Sequence, residues 1–248
     1  MCSFVACSPQ NSPSNTSSYV DLENSHAAIE SYNENSVYYL DGVITESVAE
    51  EILRERDKIQ KLVVNSSGGL ITAAHKIGEV VDEEDWEVEV LGLCVSACAE
   101  YILASRDKVA VSDNAIIGVH GNSLVRQILY ERNGIEIPHH CSWPPYDWLL
   151  EIYGRRNISL SYPMEQIDRL GVETFQVTYS KTGCARGGAS FSKKVWFMSK
   201  NEIGEFLKVK IEGTLCVDSP SCREKLQATR FMGVEGALCV YGNETAPC

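Results

Sequence analysis

Three short stretches of this chain carry groups that together perform acyl transfer. Gly92-Leu93-Cys94-Val95-Ser96-Ala97-Cys98 offers a hydroxyl at a strand-to-helix turn. Asn65-Ser66-Ser67-Gly68-Gly69 offers a glycine turn, and Val119-His120-Gly121 an imidazole at the end of a strand. A serine hydroxyl is a weak nucleophile at neutral pH and needs a base to take its proton. His120 is the candidate base for Ser96. The oxyanion that follows attack needs donors already in place. The N–H of Gly69 follows a second glycine, Gly68, and so can point outward without a Cβ clash. The N–H of Ala97 opens a helix, where backbone donors lack internal partners and the dipole favours negative charge. Each fragment alone has a plainer reading: a common turn, a serine N-cap, a buried histidine. The constellation as a whole favours catalysis.

These groups need strands and helices to hold them. Val37-Tyr38-Tyr39-Leu40 opens the folded region as a strand, and Asp41-Gly42 turns the chain. Ser47 with Glu50 makes a capping box, with Thr45 as a second candidate cap. Apolar residues at helical spacing then run to Lys61. Leu62-Val63-Val64 is a buried strand ended by the glycine turn. Ile71, Ala74, Ile77 and Val81 share one helix face. Val88 to Leu91 is strand, 97–105 helix, and Val109 to Val111 and Ile116 to Val119 are strands. This alternation predicts an α/β fold with a mainly parallel sheet, in which functional groups collect at strand ends. Residues 121–163 are irregular up to a helix from Asp147 to Arg155. Met164 to Leu170 is a short helix and Gly183 to Ser192 a loop. Val195 to Met198 is a strand and Lys200 to Leu207 a helix. Short strands stapled by cysteines follow.

The net charge of −12 excludes a nucleic-acid binder with a basic stripe, and no apolar run is long enough to span a bilayer. Ten cysteines point to structural disulfides in an oxidising compartment. Cys216 and Cys222 would close a small loop around Ser219-Pro220-Ser221, and Cys239 with Cys248 another. Cys94 and Cys98 flank Ser96 and either bond, stiffening its turn, or pack as small apolar residues. No tight CxxC pair supports zinc. His139, His140 and Cys141 read as a loop rather than a metal site, and His75 as a surface residue. No metal or organic cofactor is needed. Phe4-Val5-Ala6-Cys7, followed by a run with no apolar residue, resembles the tail of a bacterial lipoprotein signal. The other reading is a disordered N-terminus with chance cysteines.

The three stretches resemble the Clp protease proteolytic subunit, within the wider crotonase-like fold. That family's Asn-Ser-Pro-Gly-Gly-Val-Ile-Thr-Ala is close to residues 65–73, its Gly-x-Ala-Ala-Ser to 92–96, and its Met-Ile-His to 118–120. Phe197 to Ile203 echoes its Phe-Leu-Ser-Ala-x-Glu-Ala. The similarity runs from about residue 37 to about 210. It implies a ClpP/crotonase-like spiral of β-β-α units and a Ser-His-Asp peptidase with Gly69 and Ala97 as oxyanion donors. The Cys-x-Ser-Ala-Cys segment is similar to an uncharacterised group of exported ClpP-like proteins.

The resemblance breaks twice. The family's third triad residue falls on Val195, so Asp168 is taken as the substitute carboxylate, with Asp147 another candidate. An imidazole without such a partner loses orientation and charge stabilisation. The segment 121–163, where the family makes its ring contacts, carries insertions and Pro144-Pro145, against a ClpP-type double ring. The expected organisation is a flexible tether over 1–34, a catalytic domain over 35–210, and a cysteine-rich extension over 211–248. The expected protein is a periplasmic or membrane-tethered serine hydrolase that cleaves small or unfolded peptides through an acyl-enzyme. Two rivals stand beside it: a catalytically degenerate scaffold lipoprotein, and a crotonase-type enzyme acting on acyl thioesters.

Overall fold

The computed structural model describes residues 36–137, 141, 143–181, 184–191, 193–223 and 237–240. Strand β1 spans Val37–Ile44, with Tyr38, Leu40 and Ile44 buried. Asp41-Gly42 does not turn the chain. Gly42 instead takes φ 103° inside β1, a conformation glycine adopts cheaply, and opposite it the partner strand carries one extra residue between Asn65 and Gly68. Helix α1 (Glu46–Glu55) is capped by Thr45, whose hydroxyl accepts from the Val48 N–H at 3.3 Å. The second of the two candidate caps is therefore the one used.

Strand β2 (Lys61–Gly69), helix α2 (Ile71–Glu83) and strand β3 (Glu87–Val95) follow in turn. After Ser96 come a π-helical turn, Cys98–Ile102, and a 3-10 turn, Leu103–Ser105. Strands β4 (Lys108–Val111) and β5 (Ile116–Val119) complete this half. Three helices follow: α3 (Ser123–Arg132), α4 (Pro144–Arg155) and α5 (Ser161–Leu170). Next come β6 (Val172–Tyr179), β7 (Ala185–Phe191) and β8 (Lys193–Phe197). Helix α6 (Lys200–Glu202) continues as a π-helical turn over Ile203–Leu207, before β9 (Lys210–Glu212) and β10 (Ala237–Val240).

Among the described residues, eight strands form one sheet along the path β1-β2-β3-β5-β8-β10, with β4 pairing both β3 and β9. Every pairing in it is parallel except β5 with β8. The expected α/β class and mainly parallel sheet are therefore present. Apolar faces of α1, α2 and α5 lie on the sheet and α4 packs on α2 and α3; Leu40, Ile52, Ile77, Leu149, Ile152 and Leu170 are fully or almost fully buried. The chain after 210 joins the same core: Leu215 and Val217 are buried, and Cys216 is bonded to Cys222.

Two further expectations fail. The stretch expected to be irregular after Gly121 contains α3, started by Asn122, whose Oδ1 accepts from the N–H groups of Leu124 and Val125. The segment read as a loop over Gly183 to Ser192 contains β7, paired antiparallel with β6 in a separate two-stranded sheet. Cys141, in the insertion, is bonded to Cys184 beside that hairpin. The tether 1–34, with Cys7, lies outside the described residues. So do His139, His140, Cys248 and the side chain of Cys239.

Candidate active site

Strand β3 is central in the sheet and ends at Val95. Ser96 then takes φ 59°, which is unusual for a residue with a Cβ, and the chain enters the π-helical turn. Such a left-handed residue costs about 1–3 kcal/mol and persists only where its surroundings hold it. Three things hold it here. The Ser96 N–H donates to the Gly118 carbonyl at 2.9 Å, and the Ser96 carbonyl accepts from the Glu100 N–H at 3.0 Å. A disulfide joins Cys94 to Cys98 across the turn, with Cα atoms 5.3 Å apart. The bonded reading of that pair is the one the structure adopts. Replacing both cysteines by alanine (Cys94→Ala/Cys98→Ala) is expected to slow any reaction of the Ser96 hydroxyl by roughly tenfold, through loss of orientation. The rate of reaction with a serine-directed probe, in the variant and in the parent, measures this.

Strand β5 delivers His120 directly after Val119. Its Nε2 lies 2.5 Å from Ser96 Oγ, within hydrogen-bond distance. The half-buried imidazole loses hydration, and this holds its pKa below the ordinary histidine value. The ring is therefore neutral at neutral pH, as a base must be. With its proton on Nδ1 the neutral ring leaves Nε2, the nitrogen that faces the hydroxyl, as the acceptor.

The glycine turn stands against this elbow. A Cβ on Gly68 would lie 2.6 Å from Ser96 Cβ and 3.0 Å from the Ala97 nitrogen. The Gly68 N–H is taken by Ser66 Oγ at 3.1 Å, and the Leu70 N–H by the Ile44 carbonyl at 2.9 Å. In a parallel ladder this pattern turns the Gly69 N–H away from β1. Ala97 opens the helical turn, where no intrahelical acceptor is available. Ser66 is structural, its hydroxyl also donating to the Gly42 carbonyl at 2.5 Å.

The third position is different. Among the described residues no carboxylate bonds to His120. The ladder pairs Gly118 with Phe197 and Val119 with Trp196, and one further step brings Val195 opposite His120. Val195 is buried, with its Cγ1 2.7 Å from where a Gly118 Cβ would stand. Asp168 is exposed on α5 and is not brought to the imidazole. The reason is helical phase: Gln166, two residues earlier, occupies the buried face. Asp147 is exposed in the first turn of α4. His75 is buried rather than at the surface, edge-on to Trp148 at 5.4 Å. Cys141, being in a disulfide, offers no thiolate to a metal. Among the described residues no group of three or more His, Cys, Asp or Glu could hold a metal ion, and no helix is long and apolar enough to cross a membrane.

One buried acid escaped the sequence reading. Glu100, one turn beyond Ser96, is 1% exposed. Its carboxyl accepts from Asn122 Nδ2 at 2.8 Å and from Gln166 Nε2 at 3.1 Å, and the backbone N–H of Gly121 also favours its charged form. Burial pushes its pKa up to about 7, against the pull of those donors. The available signal was a lone acid in the apolar run Ala97 to Ala104, since such a group is almost never fully buried without partners.

A scan against protein-family models finds no match, and a search of curated proteins finds none either.

Proposed function

We propose that this chain is an extracytoplasmic, ClpP-like serine hydrolase, a peptidase for small or unfolded peptides. The single observation that carries the reading is Ser96 Oγ at 2.5 Å from His120 Nε2, on a backbone elbow of φ 59°. In the proposed reaction the hydroxyl proton passes to Nε2 while Oγ bonds to the substrate carbonyl carbon. The N–H groups of Gly69 and Ala97 hold the oxyanion. The imidazolium returns its proton to the leaving amine as the C–N bond breaks, and water hydrolyses the ester by the same route. Order along the strands, a mainly parallel sheet and strand-end placement of all three stretches support the ClpP/crotonase-like spiral. The Cys94–Cys98, Cys141–Cys184 and Cys216–Cys222 disulfides support an oxidising compartment.

Val195 favours a second reading, a scaffold that kept the fold without the reaction. A fluorophosphonate probe separates the two. Covalent labelling of the wild type that disappears in Ser96→Ala supports the hydrolase. A folded wild type that stays unlabelled sinks it in favour of the scaffold.

A further inference from the structure

Glu100 reaches the backbone that carries the base. Its carboxyl accepts from the side-chain amide of Asn122, two residues after His120, at 2.8 Å, and the backbone N–H of Gly121 between them favours its charge. Asn122 is fixed from two more sides: Nδ2 also meets Tyr153 Oη at 3.0 Å, and Oδ1 caps α3. Gln166 of α5 closes the far side of the carboxyl. Glu100 is also tied to the nucleophile, since its own N–H donates to the Ser96 carbonyl. One buried acid thus spans the element bearing the hydroxyl and the turn bearing the imidazole.

We infer that Glu100 is the positioning residue for His120, acting through the Gly121–Asn122 turn in place of a carboxylate on the ring itself. This rests on the hydrolase reading of Ser96 and His120. Every partner given above donates, so the ionised carboxylate is satisfied as placed, whereas a carboxylic O–H would need the Gln166 amide to turn its unpartnered Oε1 toward it. The titratable groups facing it are phenols, Tyr101 on its own turn, Tyr153 on α4 and Tyr162 on α5. Burial raises the pKa of each above the ordinary tyrosine value, so all three stay neutral. Among the described residues no cation pairs with Glu100, and Arg126 acts on Tyr101 instead. Ionisation of Glu100 near neutral pH therefore tightens the grip on the Asn122 amide. The site is expected to align as pH rises through about 7.

The sign for stability runs the other way. The carboxyl's folded pKa lies above its unfolded value, so its contribution to stability is full below the unfolded value. That contribution is lost as pH rises through about 7. A positioning role therefore predicts that Glu100→Gln is slower without being less stable at alkaline pH.

The test uses the full chain. In the unmutated protein, the NMR shift of the Asn122 side-chain amide is followed from pH 5 to 9; a midpoint near 7 is expected, and a flat shift overturns the inference. In Glu100→Gln, that midpoint is expected to vanish. The fluorophosphonate labelling rate at pH 8 should fall roughly 10- to 100-fold. The thermal midpoint relative to wild type should rise between pH 5 and pH 8. A variant that labels at the wild-type rate with the wild-type pH profile overturns the inference. A wild type that never labels removes the hydrolase reading alone, because the amide titration still decides whether Glu100 governs the turn.

Discussion

His120→Ala is expected to lower the rate of Ser96 labelling, and of any peptide hydrolysis, by roughly a thousandfold or more. The imidazole is the group whose nitrogen meets Ser96 Oγ, at 2.5 Å, and it is held neutral by loss of hydration. Without it the hydroxyl keeps its proton at neutral pH. The fold should survive, because His120 is only half-buried and follows the last residue of β5. Labelling kinetics and thermal melting, read together, check this. Added imidazole is expected to restore part of the rate in the alanine variant. Labelling at the parental rate would mean that the contact is packing rather than base catalysis.

Gly68→Ala is the larger blow to the structure. Gly68 has φ 96°, a conformation that residues with a Cβ rarely adopt. The added methyl would stand 2.6 Å from Ser96 Cβ and 2.6 Å from the Val95 carbonyl. Either the glycine turn or the Ser96 elbow has to retreat, and the backbone carbonyl cannot swing aside as a flexible side chain could. Strain and overpacking together are expected to cost about 2–4 kcal/mol. That corresponds to a drop in melting temperature of roughly 5–15 °C for a chain of this size. Labelling should fall along with it, because the same movement displaces the hydroxyl. Calorimetry and probe kinetics on one preparation measure both. An unchanged melting temperature would mean that the two turns are not in contact.

What the sequence showed, and what it hid, follows from where each signal resides. Strand β5 was legible over Ile116–Val119 because its β-branched residues speak for themselves. Ser96 and His120 were legible because each sits just past a strand end, where a parallel sheet gathers its functional groups. Helix α3 was missed because its start depends on the Asn122 cap. Strand β7 was missed because its small residues, including Gly187 and Gly188, carry no strand signal of their own. What makes it a strand is a ladder with β6, and pairing is not written locally. Asp168 failed through helical phase, since it lies about 200° from Gln166 around the helix. Glu100 was hidden for a related reason. Its partners come from the turn before α3 and from α5, so only the folded chain brings them together.

The disulfides Cys94–Cys98 and Cys141–Cys184 differ in the length of chain they enclose, with sequence separations of 4 and 43. A cross-link stabilises chiefly by restricting the unfolded ensemble, and the restriction grows with the segment it closes. On that scale the short ring is worth about 2 kcal/mol and the long one about 4 kcal/mol. The long one does more to keep the molecule folded, pinning the insertion to the hairpin. The short one removes few unfolded conformations, so its main effect is felt in the native state, where it limits how far a single oxygen atom can wander.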